Sequence, residues 1–206
     1  MSSAVPSRRR GRRPGPTTTP AEVLAAARSV FADAGFDRAT VRAIAAAAQV
    51  DPSLVIQQFG SKEALFGAVV ADLRHRVSEN LPLFTESPGS LGERLARFYF
   101  TTWEAQASRE TFLAVIRSVN TQGRTAAVAA LVETFLSLIV PAVLAETGDI
   151  DAEAALAPIA AQLVGTAVTR YLIEAPFVAD APTDRLVEMT APVLDGILAR
   201  AGYHPQ

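Results

Sequence analysis

A chain of 206 residues, half of them hydrophobic and none of them cysteine, has room for a sizeable core but forms no disulfide and no thiolate metal site. No apolar run reaches the roughly 18 residues of a membrane span, and the Arg-rich start leads into a segment broken by Glu22, Arg28 and Asp33, so the expected setting is a reducing cytoplasm. The net charge of −2 hides an asymmetry. Residues 1–80 carry 11 Lys and Arg against 7 Asp and Glu, a balance of +4, while residues 81–206 carry 8 against 14, a balance of −6, which points to a nucleic-acid partner at the N-terminal end only.

Residues 1–19 mix Gly, Pro, Ser, Thr and Arg without periodicity and read as a disordered arm. Its arginines, Arg8, Arg9, Arg10, Arg12 and Arg13, are expected to contact phosphates or the minor groove beside a DNA-binding unit. A first helix is expected over 20–34, with Thr19 as N-cap, a core stripe of Leu24, Ala27 and Phe31, and Gly35 as its terminator. Two short helices follow over 41–48 and 52–59. Thr40 caps the first, whose apolar face is Val41, Ile44, Ala45 and Ala48. Asp51 and Pro52 start the second, which buries Val55 and Phe59 and turns Ser53, Ile56 and Gln57 outward. A short helix with a small polar outer face, propped on a partner helix, has the geometry that enters a DNA major groove.

The stretch from Thr40, T-V-R-A-I-A-A-A-A-Q-V-D-P-S-L-V-I-Q-Q-F-G-S-K-E-A-L-F, resembles the helix-turn-helix of the tetracycline-repressor (TetR) family. It departs from that pattern at Ile56, Gln57 and Gln58, where an aromatic or basic pair followed by His or Tyr is usual, and at Gln49, where Gly is usual. The resemblance implies an all-α protein: an N-terminal three-helix DNA-binding unit and a larger C-terminal helical domain for dimerisation and ligand binding. It puts Arg42 at a position that reaches toward bases, and the cap Thr40 beside it is also expected to contact DNA. Gln57 is expected to pair with adenine, with Ser53 in support and Ile56 against a thymine methyl. Gln58 and Lys62, the only lysine in the chain, are expected at phosphates.

A fourth helix over 61–80 links this unit, residues 20–80, to the rest, and the Pro/Ser/Gly-rich stretch from residue 81 marks the boundary of a second domain, 81–206. Helices are expected there over 91–107, 109–121, 124–147, 151–174 and 183–201, with Asp151 and Thr183 as N-caps and Pro141, Pro158 and Pro192 inside them. The last two are apolar nearly all round and need burial on two sides. In the resembled family they form a four-helix bundle across a two-fold axis, which puts Leu156, Leu163, Val168, Val193, Leu194 and Ile197 at a homodimer interface.

Aromatics crowd the helix over 91–107 and continue on the next two, and Tyr99, Trp103, Phe112 and Phe135, with the polar groups of Arg117, Asn120, Arg170 and Tyr171, are the candidates for a ligand pocket, a plain packed core being the alternative. Arg170 has a structural alternative, an ion pair with Glu174 one turn on. No Gly-rich phosphate loop, no nucleophile elbow and no metal-ligand cluster points to an enzyme, a cofactor or a metal, and catalytic residues are not expected. The function expected is that of a cytoplasmic homodimeric transcriptional regulator, by the resemblance a repressor, which binds a pseudo-palindromic operator in double-stranded DNA, has no membrane partner and is released by a small, largely apolar effector. The alternative is a helical dimer acting mainly through protein partners, without an effector.

Overall fold

Thr19 opens the first helix by a reciprocal cap. Its hydroxyl accepts from the Glu22 amide at 3.3 Å, and the Glu22 carboxylate accepts from the Thr19 amide at 2.7 Å. With Pro20 at the first helical position, α1 (Pro20–Arg38) starts where the sequence places it. The computed structural model describes residues 19–118, 125–148 and 151–204. Arg8, Arg9, Arg10, Arg12, Arg13 and Asn120 lie outside these residues.

Gly35 takes the left-handed backbone expected of it, φ 71, yet it kinks α1 instead of ending it. The chain turns once more to Arg38, closed by the Ala39 amide on the Gly35 carbonyl at 3.2 Å. Val23, Ala27 and Phe31 are the fully buried stripe of α1, and Leu24, expected in it, is only half-buried.

The α2 helix (Val41–Ala47) is capped by Thr40, whose hydroxyl accepts from the Ala43 amide at 3.1 Å. α3 (Pro52–Phe59) is capped by Asp51, which accepts from the Ser53 amide at 2.8 Å. Between them Gln49 stands at φ 57, a conformation that costs a non-Gly residue about 1 kcal/mol. Two hydrogen bonds from the turn back to α2, Gln49 to Ala46 at 3.1 Å and Val50 to Ala45 at 2.9 Å, offset that cost. Ile44, Ala45 and Val55 are buried where the two helices meet α1.

The α4 helix (Lys62–Thr85) continues past residue 80, through Pro82. Proline removes one helical donor there, but Phe84, 1 % exposed, anchors the last turn against Phe98 with ring centres 6.5 Å apart. The first residues of the stretch expected as a boundary are therefore helix, and the break falls over 86–90.

Then follow α5 (Leu91–Glu104), α6 (Gln106–Ile116), α7 (Thr125–Thr147), α8 (Ala152–Tyr171), the single turn α9 (Pro176–Ala179) and α10 (Thr183–Arg200). The helix expected over 91–107 stops earlier because Ala105 is extended, ψ 122. The one expected over 151–174 stops at Tyr171, before Glu174 at φ 56. Thr183 is the first residue of α10 and not its cap; Pro182 holds the cap position and offers no side-chain acceptor. Pro141, Pro158 and Pro192 do lie inside their helices, and no strand occurs among the described residues.

α10 lies along α5, α1 packs on α6, and α4 touches α1, α5, α6 and α7. One core runs from Val23 and Phe31 through Leu73 to Phe100 and Leu194. The two-sided apolarity of α8 and α10 is real, but part of the expected dimer face belongs to this core. Leu194 is 0 % exposed and Leu163 7 %, both packed within their own chain, and Leu156 sits beside a cavity described below. Val193 is exposed, Val168 and Ile197 are half-buried, and Met189 and Val164 join them on the outward faces.

Candidate nucleic-acid interface and apolar cavity

α3 stands on α2 with its outer side free. Ser53, Ile56 and Gln57 are exposed, and at 44 % exposure Ile56 is an isoleucine that the core makes no use of. Thr40 and Arg42 are exposed at the start of α2, the Thr40 hydroxyl already serving as a cap. The Asp51 carboxyl lies below its usual range because the Ser53 hydroxyl and amide hydrogen-bond to it, which fixes a negative charge at the α3 N-terminus.

Two expected phosphate contacts are occupied otherwise. Lys62 Nζ donates to the carbonyls of Phe36 at 2.9 Å and Ala39 at 3.0 Å, and lies 4.2 Å from the centre of the Phe36 ring. The lysine thus ties the start of α4 to the α1–α2 connection, because that connection leaves carbonyls with no helical donor. Gln58 is half-buried with its amide oxygen shielded and, among the described residues, unpaired, turned toward the protein instead of outward.

Cations are scarce here. Arg28 and Arg76 share Asp72, at 2.8 and 2.9 Å. Without the five arginines of residues 8–13, residues 1–80 carry a balance of −1. Arg38 and Arg42 are the exposed arginines at the ends of the segment joining α1 to α2.

These are the features of a helix-turn-helix whose second helix presents uncharged side chains. Residues 23–69 match the family of bacterial regulatory proteins, tetR family, and residues 89–198 match the tetracyclin repressor-like C-terminal domain. The chain belongs to the TetR family. A TetR-family regulator from Streptomyces coelicolor A3 is 30% identical, with 92% of this chain and 99% of that one covered and a TM-score of 0.58. The fatty acid degradation regulator FadR from Bacillus halodurans shares the fold at 18% identity and a TM-score of 0.70, over 86% of this chain and 98% of its own. So does the multidrug binding protein EbrR, solved with imidazole, at 19% identity and a TM-score of 0.61, over 93% and 97% of the two chains. No functionally curated protein matches. This TetR-family chain is a DNA-binding transcriptional regulator, with DNA as its partner. No helix among the described residues is long and apolar enough to cross a membrane.

The C-terminal half of this TetR-family protein contains a cavity of about 120 Å³ between α5, α6, α7 and α8. Tyr99, Trp103, Phe112 and Phe135 line it, together with aliphatic residues such as Ile159 and Leu163 that sequence reasoning did not assign there. The signal for these was their spacing with Leu156 on α8, which fits a dimer seam and a cavity wall equally. Trp103 is the hub of the ring cluster, 4.9 Å from Phe112, 5.4 Å from Phe135 and 5.8 Å from Tyr99 between centres.

The expected polar members stand elsewhere. Arg170 donates to Glu104 at 2.7 Å and to the carbonyls of Val178, Ala179 and Ala181 at 2.6, 3.0 and 2.8 Å. It fastens the α8–α10 connection, and its partner is Glu104 and not Glu174, which follows the end of α8. Tyr171 donates to the same Glu104 oxygen at 3.0 Å. Arg117 donates to the Ala32 carbonyl, and its neighbour Ser118 accepts from the Phe36 amide at 3.3 Å. Both carry the end of α6 onto the kink of α1.

Proposed function

We propose that this protein is a homodimeric transcriptional repressor of the cytoplasm that leaves a pseudo-palindromic operator when a small apolar molecule enters the α5–α8 cavity. One observation supports this reading above the others: a chain of contacts joins the cavity wall to the helix-turn-helix. Phe112 lines the cavity from α6, and α6 ends in Arg117 and Ser118, which hold Ala32 and Phe36 at the α1 kink. Phe36 in turn holds Lys62, three residues beyond the end of α3 at Phe59. A ligand that shifts α6 therefore acts on the element that orients the recognition helix. In a dimer the two α3 helices must sit about 34–36 Å apart to enter successive major grooves. A molecule that binds better to another spacing lowers operator affinity by linkage.

In this reading Ser53, Ile56 and Gln57 face bases, Arg42 reaches a base edge, and Thr40 meets a phosphate. The subunits join through Val168 on α8 and Val193 and Ile197 on α10. A regulator of this kind needs no catalytic centre, cofactor or metal. Genomic binding-site mapping with the purified protein tests it. Recovered sites should be inverted repeats bound by a dimer in sedimentation, and binding of every fragment alike would refute operator recognition.

A further inference from the structure

We infer that the cavity, taken as the effector site proposed above, accepts an uncharged hydrocarbon ring and rejects ligands that bring a hydrogen-bonding group inside. The reason is the chemistry of the free surface that the described residues line, which is carbon throughout. Two of the described wall residues carry side-chain polar atoms, yet neither atom reaches that surface. The Tyr99 hydroxyl and the Trp103 indole nitrogen are both shielded, and the two side chains face each other, rings 5.8 Å apart. The polar groups expected at a pocket are committed elsewhere: Arg170 and Tyr171 to Glu104, and Arg117 to Ala32. A carbonyl or carboxylate entering this space would lose its water and gain nothing in return.

Size narrows the class further. The cavity's 120 Å³ is close to the ~150 Å³ of carbon-lined cavities that stay dry and take up benzene. Its ring-lined walls, with Trp103 tilted 55° to Phe112 and 33° to Phe135, offer faces and edges to a flat guest. Val132, Leu136 and Val164, each partly exposed, form an open side between α7 and α8 through which such a guest can enter.

Three probes of one shape and different polarity test this: isopropylbenzene, acetophenone and benzoate, titrated calorimetrically into the full-length protein. Isopropylbenzene should bind at least about tenfold tighter than acetophenone, the factor expected from one lost hydrogen bond, and benzoate should not bind. Emission of Trp103, the chain's only tryptophan, should change on binding. Ala160→Phe, which puts a ring into the lining, should abolish the signal, and Tyr99→Phe should leave both affinities within about twofold, since a shielded hydroxyl makes no ligand bond. Acetophenone binding as tightly as isopropylbenzene, or losing affinity in Tyr99→Phe, would show the hydroxyl turning into the cavity and overturn the inference. So would no binding by any probe, or dissociation of the dimer on binding, which would make the open side a subunit contact. Mobility shifts with operator DNA separate the two readings. Isopropylbenzene that binds without releasing DNA refutes the effector role and leaves the ligand class standing. Release by benzoate or acetophenone alone does the reverse.

Discussion

Lys62 and Phe36 meet twice, through a 2.9 Å hydrogen bond from Nζ to the Phe36 carbonyl and through the same ammonium placed 4.2 Å from the centre of the Phe36 ring. Phe36 also packs edge-on against Phe66 at 5.1 Å and, through its amide, bonds Ser118. A residue just past the kink of α1 thus gathers α4 and α6 around it. Lys62→Ala should lower the melting temperature, with a loss of about 1.5–3 kcal/mol for hydrogen bonds to a charged group. The salt dependence of DNA binding is the discriminating measurement. A phosphate contact would remove about 0.9 from the slope for each subunit, whereas a structural lysine leaves the slope unchanged.

Gly35 holds φ 71 and ψ 166, a backbone that L-residues scarcely adopt, and a Cβ there would sit 3.4 Å from the Arg117 carbonyl. Gly35→Ala should destabilise the protein by about 1–3 kcal/mol, read by thermal or urea unfolding. Because the strain lies at the contact between α1 and α6, operator affinity should fall in the folded fraction as well.

On the DNA face, Arg42→Ala should cost about 1–3 kcal/mol of specific affinity without changing the circular dichroism spectrum. Gln57→Ala should act in the same way at one base pair of each half-site. Equal weakening on all sequences would reassign Gln57 to the backbone. Unchanged operator affinity would remove Arg42 from the set that reads bases.

Adjacent residues on α10 make opposite predictions. Val193 is 44 % exposed, so Val193→Glu should give a folded monomer in sedimentation and abolish operator binding. Leu194 is 0 % exposed, so Leu194→Glu should unfold the chain itself, since an unpaired buried charge costs more than about 3 kcal/mol. A folded Leu194→Glu dimer would mean that α10 is rotated from the position described.

Burial, with the carboxylate of Glu104 second, pushes the Tyr171 hydroxyl up to about 12. An unfolded tyrosine loses its proton near 10. Between those values the folded state keeps a proton that the unfolded state releases, so stability falls as pH rises from about 10 to 12. Tyr171→Phe should flatten this alkaline loss in urea titrations, at the expense of the bond to Glu104.

The helix-turn-helix was legible in the sequence because its determinants are local. Thr40, Asp51 and Ser61 cap helices through atoms two or three residues away, Pro52 fits a first turn, and Gln49 and Gly60 fall where the backbone must turn left-handed. The all-α character followed from periodicity, and the aromatic concentration on α5 was visible in its spacing. What the sequence could not decide was which partner each long side chain meets. Lys62 reads as a phosphate contact until α1 is folded back to offer it two carbonyls. Arg170 reads as a pocket residue until α9 and the turn after it wrap three carbonyls around it. Leu194 and Val193 are equally apolar neighbours, and only the packing of α10 on α5 buries one and exposes the other. Caps and turns are set by bonds within a few residues, whereas the direction a cation or an apolar face takes depends on helices that approach from far along the chain.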